Sequence, residues 1–208
     1  PVEYRLPRIN QVQVNHKIGL SFSNVLRTTL RQDPDIIMVG EMLDQETAEM
    51  GLRGALTGHL VLSTLHTNSA AATITRLLEV GIQPYLLNST LLAVLAQRLV
   101  KKNCPHCLQE EAIPLETRQQ LGIGINEVFY KGRGCDHCHH IGYSGRLAVY
   151  ELLTISPEVR SLIQPKVNSV DIEAAAVESG MIPLTERAIE MARQKQTSIE
   201  EVYRVRLG

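Results

Sequence analysis

The sequence predicts an α/β protein with a parallel sheet, followed by a small cysteine-rich module and a helical C-terminal region. Helix and strand patterns alternate over roughly the first 80 residues, which is typical of a parallel sheet covered by helices. All four cysteines lie between positions 104 and 138, and helix-capping residues recur after position 155. We therefore divide the chain into an α/β core over 1–100, a cysteine module over 101–145 and a strand-plus-helix region over 146–208.

The first three elements follow from apolar periodicity. Residues 9–15 alternate apolar and polar side chains, which predicts a half-buried strand. Residues 21–32 carry apolar side chains at helical spacing, and Pro34 ends that helix. Residues 36–39 are continuously apolar, which predicts a strand covered on both faces.

The next elements are marked by caps and glycines. Asp44 is the expected N-cap of a helix that ends near Gly58, and acidic residues fall in its first turn. A strand over 59–65 and a helix that stops at Gly81 follow, and residues 84–100 are expected to form one more helix.

After the cysteine module, residues 146–153 predict a strand. Ser156 then offers an N-cap, with a proline at the first helical position behind it. Ser169 and Thr197 are the expected N-caps of further helices, the second with Glu200 three residues on.

Charge and hydropathy exclude some functions. The chain has 21 basic and 22 acidic residues, and the basic ones are dispersed, so no nucleic-acid partner is expected. The longest apolar-looking run begins at Tyr85 and is interrupted by polar residues. It is shorter than the roughly 20 residues that span a bilayer. No signal peptide opens the sequence, which indicates a cytoplasmic protein.

The cysteines form two Cys-x-x-Cys pairs, "CPHC" and "CDHC". Cys104, Cys107, Cys135 and Cys138 supply the four thiolates of a structural zinc site, although the 27 residues between the pairs exceed the usual spacing, so a loop must bulge out there. Two disulfides, a redox dithiol or a histidine ligand from a neighbouring position are the alternatives. A closed Cys₄ site leaves no position open for substrate, so zinc would be structural.

Polar residues follow two of the predicted strands. "DIIMVGE" ends at Glu41, and a carboxylate at the end of a buried strand is how nucleoside-triphosphate hydrolases place an acid beside Mg²⁺ and the attacking water. His59 and His66 flank the next strand, and hydroxyl and amide groups at 63, 64, 67 and 68 could sense a γ-phosphate or cap a helix. No glycine in the chain is followed by the Lys-Ser/Thr pair of a phosphate-binding loop.

Two arginines lie on one face of the first predicted helix. Arg27 and Arg31 are four residues apart, so their guanidiniums project the same way. Such a pair forms a solvated or ion-paired face, or reaches a phosphate across a subunit boundary in a ring ATPase.

Taken in order, these motifs resemble a known family. The segment "LRQDPDIIMVGEMLDQETAEMGLRGALTGHLVLSTLHTNSAA", followed by "AQRLV", "CPHC" and "GCDHCHHIGYSGRLAVYELL", is similar to the ATPase domain of type II secretion and type IV pilus assembly motors. The resemblance implies part of a RecA-like P-loop NTPase sheet whose phosphate-binding (Walker A) half lies upstream of Pro1, with an inserted Cys₄ zinc module.

The resemblance also assigns roles to residues. It implies that Glu41 belongs to an atypical Walker B motif, that His59 and His66 form a histidine box, and that Glu3 is the remnant of an acidic box. Mg²⁺ and ATP would bind the complete protein, and zinc would be structural. Leu43 and Asn24 stand where the family usually or often has arginine.

The function that the resemblance implies is an ATPase, a homo-hexameric motor at the cytoplasmic face of the inner membrane. It would act on inner-membrane platform or cytoplasmic-domain proteins of a pilus or secretion system. The tetracysteine module favours assembly or secretion over pilus retraction. Without the Walker A loop, the 208-residue chain alone is expected to be inactive. The alternative is a zinc-stapled interaction module without catalysis.

Overall fold

The computed structural model describes residues 2–207, and these form two compact units. Unit 1 comprises residues 2–67, 71–94 and 154–175, and unit 2 comprises residues 68–70, 95–153 and 176–207. The helices are α1 (Phe22–Thr29), α2 (Gln45–Leu56), α3 (Ala70–Glu79), α4 (Pro84–Thr90), α5 (Leu115–Leu121), α6 (Pro157–Leu162), α7 (Ser169–Glu178), α8 (Leu184–Arg193) and α9 (Ile199–Leu207). The strands are β1 (Ile36–Val39), β2 (Leu60–Ser63), β3 (Ala93–Asn103), β4 (Leu108–Glu110), β5 (Tyr130–Gly132) and β6 (Tyr143–Thr154).

In unit 1, β1 and β2 pair in parallel. Ile36 lies opposite Leu60 and Val39 lies opposite Ser63, so the two strands end side by side. The helix α2 connects them, which is the strand–helix–strand arrangement expected from the sequence. The residues that follow both strands therefore meet at one edge of the sheet.

The helices α1 and α2 pack on one face of β1 and form one apolar cluster of unit 1. Leu26 of α1 is buried against Ile37 and Val39. Gly54 of α2 lets this helix lie close to Leu30, because a Cβ at that position would meet the Leu30 Cδ2 atom at 2.8 Å. Both predicted N-termini are confirmed, since the Ser21 and Asp44 side chains accept hydrogen bonds from the N–H groups of Asn24 and Thr47.

The opposite face of β1 and β2 is apolar and exposed. Ile36 and Met38 of β1 are 61% and 72% exposed, and Leu60 and Leu62 of β2 are also exposed. The prediction that residues 36–39 are covered on both faces is therefore wrong for this chain. Side chains of both faces of β1 are apolar, but within residues 2–207 the helices cover only one of them.

In unit 2, the long strands β3 and β6 pair with each other. Glu151 of β6 is buried, and its carboxylate accepts hydrogen bonds from the N–H groups of Ala70 at 2.7 Å and Leu184 at 2.9 Å, the first residues of α3 and α8. A buried carboxylate needs such donors, and helix N-termini favour its negative charge.

Two further expectations from the sequence are wrong. Residues 9–15 do not form a strand, because only Asn15 makes an isolated bridge, to Leu20, and the segment is largely exposed. The helix expected over 84–100 is α4 followed by β3. Leu95 and Leu99 on the exposed side of β3 are apolar, like the buried Ala96 and Val100. The sequence therefore lacks the apolar–polar alternation that would have indicated a strand.

Of the three caps expected in the C-terminal region, one lies at the predicted residue and two are shifted by one residue. Ser156 caps α6, as predicted. The cap expected at Ser169 is provided by Asn168, whose side chain accepts from the Val170 N–H, and the cap expected at Thr197 is provided by Ser198, which accepts from the Glu201 N–H. Within residues 2–207, no helix is both long and apolar enough to cross a membrane.

Candidate nucleotide site and candidate metal centre

Glu41 and His66 meet at the carboxyl ends of β1 and β2. Glu41 follows β1 by two residues, His66 follows β2 by three, and the His66 Nε2 atom lies 3.7 Å from a Glu41 carboxylate oxygen. The Glu41 side chain is 26% exposed and the His66 side chain is 84% exposed, so the pair opens to solvent. Parallel α/β sheets bind their ligands at this edge. A carboxylate and an imidazole here can accept and donate protons or orient water.

Most polar residues around this pair form hydrogen bonds to other parts of the chain. The Thr64 hydroxyl donates to the Gly40 carbonyl, and the Thr67 and Thr73 hydroxyls lie 2.7 Å apart. Asn68 is held by Arg98, which donates to both its backbone carbonyl and its side-chain oxygen. Among these groups, the His66 imidazole lies 3.7 Å from the Glu41 carboxylate, and its side chain is 84% exposed.

His59 lies at the opposite edge of the parallel pair. It precedes β2, and its Nδ1 atom is 2.9 Å from the Gly54 carbonyl and 3.2 Å from the Thr57 hydroxyl. The five residues from His59 to Thr64 correspond to about 16 Å of extended chain. The structure thus brings Glu41 and His66 together but not Glu41 and His59.

Glu3 is exposed in the N-terminal segment. Neighbouring backbone groups are tied to two glutamine side chains, because Gln13 accepts from the Val2 N–H and Gln11 donates to the Tyr4 carbonyl. This segment has no regular secondary structure around Glu3.

Arg27 of α1 and Arg31 are both exposed. Arg27 donates to a Glu46 carboxylate oxygen at 3.1 Å, in the first turn of α2. Arg31 lies just beyond the end of α1. The Arg27–Glu46 ion pair could not be predicted from local spacing, since the two residues are 19 positions apart and lie on different helices.

The four cysteines of unit 2 converge on one point. The sulfur atoms of Cys104 and Cys135 are 3.8 Å apart and those of Cys107 and Cys138 are 3.9 Å apart, and all four lie within 4.8 Å of one another. Four sulfurs at 2.3 Å from a tetrahedral zinc ion would be separated by about 3.8 Å. The thiols are free rather than disulfide-bonded, and their spacing fits zinc.

A short ribbon explains how the distant Cys pairs meet. Strand β4 begins directly after Cys107, β5 ends three residues before Cys135, and the two strands pair antiparallel. Gly132 and Gly142 let two backbones approach closely there, because a Cβ on either would collide with the carbonyl of the other. The 27-residue spacing is thus taken up by β4, α5 and β5, and Leu121, Ile123 and Phe129 of this segment are buried.

The pKa shifts of the cysteine thiols are also consistent with a metal centre. Burial raises the pKa of Cys104 and raises that of Cys107 to about 12, so these thiols would ionise only beside a cation. Burial acts in the same direction on Cys138, but hydrogen bonds from the N–H groups of Cys135 and Gly142 lower its pKa to about 7. Such N–H donors stabilise a thiolate ligand.

The neighbouring histidines do not join this cluster. His106 and His137 stack with ring centroids 4.1 Å apart, and His140 contacts the Asp136 carboxylate at 3.2 Å. Both stacked rings are exposed. The grouping of potential ligands found in residues 2–207 consists of the four sulfurs.

Comparison with known proteins decides the family. The family described as "Type II/IV secretion system protein" matches residues 1–204. The chain belongs to this family. It is 48% identical over 206 residues to the type IV pilus assembly ATPase PilB of Thermus thermophilus and 44% identical over 205 residues to the type II secretion system protein E of Klebsiella pneumoniae. These alignments cover 97% and 99% of the chain but 23% and 41% of the relatives, so the chain spans less than half of their length.

Solved structures agree with this assignment. The pilus retraction motor PilT with bound ADP is 28% identical, with a TM-score of 0.61 over 89% of this chain and 43% of that one. The ATPase DotB of Legionella pneumophila shares the fold, with a TM-score of 0.67 at 23% identity over 100% of this chain and 50% of that one. The family resemblance inferred from the motifs is confirmed, as is the α/β class.

Proposed function

We propose that this chain is part of an ATP-hydrolysing motor that drives pilus assembly or type II secretion. The observation that carries the proposal is the Glu41–His66 pair at the carboxyl edge of a parallel sheet, in a chain of this family. Glu41 accepts the proton of the water that attacks the γ-phosphorus, and the bond to the leaving ADP oxygen breaks. His66, mostly exposed, orients the phosphate or the water.

The phosphate-binding half of the site belongs to the rest of the complete protein in this proposal. The apolar outer face of β1 and β2 supports it, because parallel strands are normally covered on both faces and this face is uncovered within residues 2–207. The length of the relatives also supports it. Mg²⁺ held beside Glu41 would neutralise phosphate charge. The 208-residue chain alone would then neither bind ATP tightly nor form a stable ring.

The partner side of the proposal follows the relatives. The complete protein would form a homo-hexamer at the cytoplasmic face of the inner membrane and act on platform proteins there. Assembly or secretion is favoured over retraction, because the named assembly and secretion relatives are 44–48% identical and the retraction motor PilT is 28% identical. The Cys₄ module would hold structural zinc, and the division at 1–100, 101–145 and 146–208 remains part of the proposal.

Phosphate release by the purified complete protein tests the function. We expect ATP turnover that requires Mg²⁺ and both halves of the sheet. A complete protein that binds its membrane partner but neither binds nor hydrolyses ATP would instead be the zinc-stapled interaction module considered above.

A further inference from the structure

Thr64 forms hydrogen bonds with Gly40 and Met42, the residues on either side of Glu41. Its hydroxyl donates to the Gly40 carbonyl at 2.5 Å, and its carbonyl accepts from the Met42 N–H at 3.2 Å. Glu41 thus lies on a short loop whose two ends are attached to a single residue of the neighbouring chain segment.

These contacts occur where the regular pairing of β1 and β2 stops. The last paired residues are Val39 and Ser63, so Gly40 and Thr64 are the first residues beyond the ladder. Gly40 has no side chain to fix its conformation, and glycine backbones are the most permissive. The Thr64 hydroxyl supplies a donor to the Gly40 carbonyl at the point where the strand leaves the sheet.

The other hydroxyls near the site are engaged elsewhere. The Thr67 hydroxyl contacts Thr73 on α3, and the Ser63 hydroxyl is 3.5 Å from the carbonyl of Thr64. The Thr64 hydroxyl, in contrast, is bonded to the loop that carries Glu41.

We propose that Thr64 is a positioning residue for Glu41. Its two hydrogen bonds fix the loop on which Glu41 lies, and thereby keep the Glu41 carboxylate 3.7 Å from the His66 Nε2 atom. The inference rests on the proposed ATPase function, because it assigns to Thr64 the placement of the carboxylate that this function uses. A displacement of a reacting group by about 1 Å can lower the rate as much as 100-fold. Loss of the Thr64 hydrogen bond should therefore lower the rate of ATP turnover.

The test uses three variants of the complete protein. Thr64→Val keeps the shape of the side chain and removes the hydroxyl, whereas Thr64→Ser keeps the hydroxyl and removes the methyl group. Thr90→Val is the matched control, because the Thr90 hydroxyl of α4 donates to the Leu86 carbonyl of its own helix. We expect Thr64→Val to lower kcat about 5- to 10-fold, as expected for one lost hydrogen bond, with the Kd for ATP unchanged. Thr64→Ser and Thr90→Val should stay within about twofold of the unsubstituted protein.

A second measurement does not depend on ATP hydrolysis. Amide hydrogen exchange of the peptide that contains Met42 should be faster in Thr64→Val, because loss of the brace loosens the bond from the Met42 N–H to Thr64. The same peptide should be unchanged in Thr64→Ser and Thr90→Val. Normal exchange at Met42 in Thr64→Val would overturn the inference. So would a kcat equal to that of the unsubstituted protein, or equal losses in the Val and Ser variants. If the unsubstituted protein hydrolyses no ATP, the proposed function fails, and hydrogen exchange still decides the role of Thr64.

Discussion

The Arg27 guanidinium is paired with the Glu46 carboxylate of the same chain, at 3.1 Å. This contact joins α1 to the first turn of α2, and both side chains are more than half exposed. An exposed ion pair contributes about 0–1 kcal/mol. Arg27 can therefore leave Glu46 at little cost if a phosphate in a neighbouring subunit competes for it.

The first prediction is that Arg27 acts across a subunit boundary. Arg27→Ala in the complete protein should lower ATP turnover about tenfold or more, because a guanidinium stabilises charge on the transferred phosphoryl group. Mixing this variant with Glu41→Gln should restore part of the activity at boundaries that receive both intact residues, as measured by phosphate release. The same mixture with Arg31→Ala tests the other arginine.

Glu46→Gln is the matched control for Arg27. It removes the ion pair but keeps the guanidinium, so its turnover should stay near that of the unsubstituted protein. If Glu46→Gln and Arg27→Ala lose the same activity, and mixed rings with exchanging subunits show no recovery, Arg27 serves α1–α2 packing instead.

The second prediction concerns the four-cysteine cluster. Protein purified without added metal should contain about one zinc per chain, and Cys135→Ser should contain well under half an equivalent, because three thiolates bind zinc more weakly. Loss of the metal forfeits folding energy, so limited proteolysis should cut the variant between positions 103 and 145. Elemental analysis and mapping of the fragments measure both effects.

His137→Ala is the control for zinc binding. His137 lies between Cys135 and Cys138, and its ring stacks on His106 rather than joining the sulfur cluster. It should retain a full equivalent of zinc. A large loss of zinc in His137→Ala, or none in Cys135→Ser, would refute the Cys₄ assignment.

The third prediction is a pH dependence from Glu201, whose side chain is 3% exposed. Burial alone would raise its pKa, but hydrogen bonds from the Arg204 side chain and the Lys101 N–H, with their charges, bring it below the ordinary value of 4.5. A lowered pKa means that the folded state favours the ionised carboxylate. This stability is present above pH 4.5 and is lost as the pH falls through the lower pKa of the folded state.

Glu201→Gln should therefore lower the free energy of unfolding by about 1.5–3 kcal/mol at pH 7, and the difference from the unsubstituted protein should shrink below pH 4.5. Denaturant unfolding of the zinc-loaded chain at several pH values measures it, and any acid-induced loss of zinc is common to both proteins. Glu200→Gln, at an exposed position of the same helix, should have little effect at either pH. A difference that stays constant down to pH 3 would contradict the assignment.

Local patterns predicted the parts of this fold that depend on neighbouring residues in the sequence. The caps at Asp44 and Ser156 follow from single residues at helix starts, and the Cys pairs follow from spacing. The β1–α2–β2 unit is likewise a local arrangement, so the meeting of Glu41 and His66 could be expected from strand order.

The expectations that failed depend on contacts between distant segments. Residues 93–100 form a strand because they pair with β6, and no pattern in the segment itself shows this partner. The alternating residues 9–15 lack a neighbouring strand among residues 2–207. The Arg27–Glu46 pair and the two hydrogen bonds between Thr64 and the loop around Glu41 likewise join separate elements, so no local pattern in the sequence predicts them.

The most direct measurement of the central claim is ATP binding and hydrolysis by Glu41→Gln in the complete protein. Glutamine keeps the shape of the side chain but removes the charge that accepts the proton, so the variant should bind ATP with a Kd near that of the unsubstituted protein and turn over at least about 100-fold more slowly. His66→Ala should lose less, because it contributes positioning. If Glu41→Gln hydrolyses ATP within tenfold of the unsubstituted rate, Glu41 is not the catalytic base and the account of this site is wrong.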